Sequence, residues 1–187
     1  MNFKQAFFFS IVLFLLSLAV MAISFVLGAP TEILFRAFLS TISLVVYAMT
    51  ALCCSLVLDR PNLNVFGKIG VGISIIGGVF AILSNFFINS LDGFASVVMW
   101  RYIFLIIAIS LAHISLLMKI VTNNLFVRFA RGLTISSIAL VALGFLSIVL
   151  PSGFGFAMPE SVFTISIILD VLGTLATPIL NKAVKST

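Results

Sequence analysis

The chain has 187 residues, 63% of them hydrophobic and only 8% charged, with a formal net charge of +5. Soluble domains carry roughly 25% charged residues, and a chain this short has too little interior to hide so much apolar surface from water. The composition therefore excludes an ordinary soluble globule. The basic balance, without an arginine-rich segment or an aromatic platform, does not describe a nucleic-acid binder.

Lipid is the natural solvent for the excess, and a spanning helix needs about 20 apolar residues. Hydropathy predicts an all-α, polytopic membrane helix bundle of about six transmembrane helices, near 6–28, 33–57, 67–89, 95–118, 130–150 and 160–181. Lys4 ahead of an apolar run, with Val26-Leu27-Gly28-Ala29 behind it, has the look of a signal peptide. The run from Phe7 to Leu27 exceeds the ~7–15 residues of a signal-peptide core, and Pro30 disfavours cleavage after Ala29. A retained first span is expected. Turn chemistry separates the spans at 28–32, 59–64, 89–93 and 151–155, and a loop is expected from Thr122 on to Arg131.

The second span carries a polar stripe. Arg36, Ser40, Ser43, Tyr47, Thr50 and Cys54 follow steps of four and three and fall within an arc of about 80° at 100° per residue. Such a face meets protein or a wet cavity. Hydroxyl bonding between helices is its commoner use, and a solute path past Tyr47 is the sharper one. Adjacent Cys53 and Cys54 make a poor structural disulfide and match no metal spacing. In the third span Gly70, Ser74 and Gly78 form a small-xxx-small packing seam, and Gly132 with Ser136 and Gly173 with Thr177 repeat the spacing.

His113, the only histidine, lies in the fourth span, and Asp170 lies well inside the sixth. A mid-membrane carboxylate costs roughly 3 kcal/mol on insertion scales and marks a functional hypothesis by default. The competing expectation is a neutral, hydrogen-bonded spacer. Counted from their outer ends, Asp170 and His113 reach similar depths, so a pair that relays a proton is geometrically open to them. For His113 the plainer expectation is a bond to a backbone carbonyl or to Ser110. Asp170, Thr174, Thr177 and Asn181 share a face of the sixth span, with Pro178 freeing the carbonyl of Thr174. Asp170, His113, Tyr47 and Thr174 are thus the candidate proton or solute site.

The outer acids have local uses: Glu32, Asp92 and Glu160 each sit in a first helical turn. Glu32 and Arg36 stand in the favourable i,i+4 order. Arg36 and Arg101 are expected to snorkel outward, beside an aromatic belt of Phe35, Trp100 and Tyr102.

Eight of the ten basic residues, Lys4, Arg60, Lys68, Lys119, Arg128, Arg131, Lys182 and Lys185, flank one side, and Arg36 and Arg101 flank the other. The positive-inside rule then places both termini in the cytoplasm. Similar openings of the odd helices and of the even helices, at a period near 60 residues, suggest three tandem helical hairpins. No nucleotide loop, metal cluster, catalytic motif or cofactor site is present in the sequence. The reading is a single membrane domain, non-enzymatic, with an accessory, assembly or membrane-integrity role. A bacterial inner membrane is expected, with the bilayer and a membrane-protein partner or a second copy as its company. The alternative is a small proton-coupled transporter or channel using Asp170 and His113.

Overall fold

A computed structural model describes residues 32–87, 94–122, 124–150 and 158–185, together with seven isolated positions between 12 and 23. Five helices follow one another: α1 (Glu32–Ser55), α2 (Asn64–Phe87), α3 (Phe94–Met118), α4 (Leu125–Val149) and α5 (Glu160–Lys185). No strand occurs among the described residues. All five helices are long and apolar enough to cross a membrane. Helices of 24 to 26 residues measure about 36–39 Å at 1.5 Å per residue, more than the hydrocarbon thickness. Val12, Leu15, Leu16, Leu18, Ala19, Ala22 and Ile23 are helical and exposed. The remainder of the expected first span, and the turns expected at 28–31, 89–93 and 151–155, lie outside the described residues.

One boundary differs from expectation in a way that matters for the site. The loop expected to run to Arg131 ends at Asn124, whose side-chain oxygen accepts from the backbone N–H of Phe126 at 2.9 Å and of Val127 at 3.4 Å. This N-cap satisfies two otherwise orphaned donors and starts α4 at Leu125, so Arg128 and Arg131 are helical.

The bundle is organised for lipid. Large aliphatics face outward, among them Ile75, Ile76, Val79, Leu83, Ile168 and Leu175. Small and hydroxyl residues are buried, including Ala81, Ala108, Ala112, Ser74, Ser115 and Thr177. In hydrocarbon a leucine gains nothing by leaving the tails, so close packing by small residues and hydrogen bonds decide which faces meet.

The most extensive contacts join α1 to α2 and α4 to α5, while α3 touches α1, α2 and α4. A Cβ on Gly70 would run into the Cys54 side chain, and one on Gly77 into the Tyr47 ring. Gly78 lies against the first atoms of the same tyrosine. In the second pair, Gly144 receives the Phe163 ring and Gly173 receives Thr134. The Gly132–Ser136 spacing does not make a seam: nothing lies within 4 Å of a Cβ on Gly132, and Ser136 is exposed.

Gly173→Ala should therefore destabilise the protein by about 1–3 kcal/mol, the usual range for overpacking. Gly72→Ala, with open space around its Cβ, should be neutral or slightly stabilising through helix propensity. Thermal unfolding in detergent checks both. Equal melting of the two variants would mean that α5 does not approach α4 at Gly173.

Candidate functional site

The polar stripe of α1 points into the bundle: Ser40, Ser43, Tyr47, Thr50 and Cys54 are all buried. Its partners come from α2 and α3. Thr50 and Ser74 share a hydrogen bond of 2.9 Å between hydroxyls. The Asn85 amide donates to Ser40 at 3.1 Å. Arg101 donates to the Asn85 carbonyl oxygen at 2.6 Å and to Ser43 at 3.2 Å. Arg101 thus turns inward rather than snorkelling, because two acceptors within reach satisfy a guanidinium that lipid would leave unpaired. Tyr47 sends its hydroxyl to the Arg101 carbonyl at 3.5 Å. Arg36 pairs with Glu32 as the i,i+4 spacing suggests, and Trp100, Tyr102 and Phe35 are exposed.

A second polar cluster forms between α3 and α5. His113 lies twelve residues after Arg101, about 18 Å along α3. Its Nδ1 is 3.7 Å from the Asp170 carboxylate, and its Nε2 is 2.8 Å from the Thr174 hydroxyl. Thr174 in turn donates to the same Asp170 oxygen at 3.2 Å. A hydroxyl has one proton to give. When it goes to Asp170, Thr174 accepts from Nε2–H, and the three groups form a continuous chain for a proton. Thr174 and Asp170, not Ser110 or a backbone carbonyl, are the side-chain partners of His113. One helical turn of α5 places both beside it, Thr174 within hydrogen-bond distance of one nitrogen and Asp170 near the other.

His113 and Asp170 are partly exposed, at 28% and 17% of their side-chain surface. The opening is a cavity of about 360 Å³ between α3, α4 and α5. Its walls are mostly apolar, with Ile109, Val141 and Phe145 among them, and Ser110, His113 and Asp170 supply the polar wall. Phe145 is held by an edge-to-face contact with Phe163 at 5.3 Å. The site can hold an apolar group against a small hydrogen-bonding and ionisable patch.

Of the four candidate residues, Asp170, His113 and Thr174 come together and Tyr47 does not. Tyr47 is closed in at 4% exposure, in the α1–α2–α3 cluster. Gly70, Ser74 and Gly78 line the face of α2 that meets α1. Thr177 is buried and bonds its own helix at the Gly173 carbonyl. The Asn181 side-chain oxygen is buried without a partner. Cys53 and Cys54 are both free. Sequence reasoning missed the role of Asn85, although an amide inside an apolar helix is itself a signal of interhelical bonding. No group of three or more metal-ligating side chains occurs among the described residues. Comparison with protein-family models, with curated proteins and with solved structures finds no match.

The Arg101–Asn85 bond should appear as a coupling energy. Arg101→Met and Asn85→Leu should each destabilise, since each leaves a buried polar partner unsatisfied, at about 1–3 kcal/mol. The double variant should recover part of the loss, a coupling of about 0.5–3 kcal/mol. Reversible unfolding in mixed micelles measures the cycle, and strict additivity would show that the two side chains do not interact.

Proposed function

We propose that the chain is a small, non-enzymatic integral membrane protein with an accessory, assembly or membrane-integrity role. The observation that carries this reading is how the polar residues are spent. Ser40, Ser43, Asn85 and Arg101 bond one another, Thr50 bonds Ser74, and Tyr47 is sealed against Gly77 and Gly78. These groups join helices to helices, the ordinary use of polar side chains within a membrane, and Tyr47 is enclosed by them among the described residues.

In this reading the chain has six spans in three hairpins, with both termini in the cytoplasm of a bacterium and the bundle in its inner membrane. The charge bias of the flanks supports the orientation. Contacts of Arg60 and Arg131 with residues 118–120 gather several of those basic residues at one end of the bundle. The company of the chain is the bilayer and another membrane protein. Purification of the tagged protein in mild detergent, followed by mass spectrometry, tests this. The expected result is a membrane protein present in one-to-one amount. A preparation holding this chain alone defeats the accessory reading.

A second reading, a proton-coupled transporter or channel, is favoured by one specific observation: the hydrogen-bonded chain of His113, Thr174 and Asp170 borders a cavity within the bundle. Purified protein in liposomes with a pH-sensitive dye in the lumen provides the test. Transport predicts proton flux in the parent protein and its loss in Asp170→Asn, with yield and melting temperature unchanged. No flux in the parent, or equal flux in the variant, removes this reading.

A further inference from the structure

A second cavity, of about 430 Å³, lies at the opposite end of α3 from Arg101 and is built around three arginines. Arg60 follows α1, and Arg128 and Arg131 belong to the first turns of α4. Arg60 donates one N–H to the Met118 carbonyl and another to the Lys119 carbonyl, each at 2.9 Å. Arg131 donates to the Ile120 carbonyl at 2.6 Å. These carbonyls end α3 and lack helical donors of their own, so the arginines are fixed in place by neutral acceptors.

Among the described residues no carboxylate lies within ion-pair distance of these arginines. Neither of the two ion pairs among the described side chains, Arg36–Glu32 and His113–Asp170, involves these arginines. A guanidinium has five N–H donors, and the carbonyls take two from Arg60 and one from Arg131. The remainder suits a tetrahedral oxyanion, which arginine forks bind bidentately. Thr122 adds a hydroxyl to the same wall.

The remaining lining identifies the kind of anion. Leu63, Met118, Val121 and Ile135 stand beside the arginines in the same cavity. On the same first turns of α4 as Arg128 and Arg131, Leu125, Phe126 and Phe129 expose 79%, 64% and 71% of their surface. Exposed aromatic and aliphatic groups around basic residues at the end of a spanning helix belong at the headgroup level, where basic pockets between helices receive anionic lipid.

We propose that the Arg60–Arg128–Arg131 cavity is a binding site for an anionic phospholipid, with the headgroup phosphate among the three guanidinium groups and an acyl chain along Leu63 and Ile135. The inference rests on the chain's spanning a membrane and on neither of the two functional readings above.

Native mass spectrometry of the detergent-purified full chain tests it, with phosphatidylglycerol, phosphatidylcholine and inorganic phosphate as the probes. The expected result is preferential retention of phosphatidylglycerol over phosphatidylcholine, about fivefold or more. Arg128→Gln removes a charge that holds no backbone carbonyl, and should weaken phosphatidylglycerol binding about fivefold, the usual effect of one basic residue. Gly132→Leu fills the open space at the cavity wall without changing charge, and should weaken it as well. Equal retention of the two lipids, or full binding by both variants, overturns the proposal. Displacement of the lipid by millimolar inorganic phosphate also overturns it, in favour of a soluble phosphate ligand.

Discussion

The guanidinium of Arg101 sets the arrangement of the first three described helices. Within hydrocarbon a charged or amide group must find its partners inside the protein. Arg101 on α3 finds the Asn85 oxygen on α2 and the Ser43 hydroxyl on α1, and Asn85 passes its N–H on to Ser40. Each bond fixes the rotation of one helix about its own axis. The register below then follows. As the α1 numbers rise the α2 numbers fall, from Ser40 with Asn85, through Tyr47 with Gly78 and Thr50 with Ser74, to Cys54 with Gly70. A tyrosine needs room where α1 and α2 cross, and two successive glycines supply it.

The faces were more legible in the sequence than the pairings. A 3.6-residue period determines which side chains share a face, so the α1 stripe and the Gly70–Ser74–Gly78 row stand out from residue spacing alone. The period is silent on which helix each face meets. Arg101 shows the difference: a lone cation near a helix end ordinarily snorkels, and the neighbouring positions of Asn85 and Ser43, on two other helices, turn it inward. The start of α4 was obscured for a related reason. Arg128 and Arg131 lower the local hydropathy and resemble a loop, whereas the signal that starts the helix is the single capping side chain of Asn124. Gly132 failed as a seam because spacing alone does not place a neighbour opposite it.

The convergence of His113 with Asp170 followed from depth, a quantity that residue counting estimates well in straight helices. Thr174 joined them because it lies one turn from Asp170 on the same face. Tyr47 had the right chemistry but belonged to a different contact, and its separation divides the polar residues into two sets with different physical roles. In the α1–α2–α3 set every named side chain is committed to another helix. In the α3–α5 set the bonds are equally direct, yet His113 and Asp170 retain surface on a cavity.

Packing explains why both cavities border α3 and α4. The α1–α2 and α4–α5 pairs are held by close approach at glycines, whereas no glycine brings α3 and α4 together among the close approaches described. Large side chains such as Ile109 and Phe145 separate the middle of these helices, and Phe145 is kept in position by Phe163. Toward the end of α3 the separation continues, with Arg131 bridging from α4 to the Ile120 carbonyl. α3 is thus tied to α4 through Arg131 and to α5 through His113, at two depths, with cavities beside both links. Cavities between helices of a bundle are where ligands bind, and a ligand placed here would touch the helices that connect the two tightly packed pairs. Its effect would be felt as a change in how α4 and α5 stand against α3, because the cavities lie where those helices meet it.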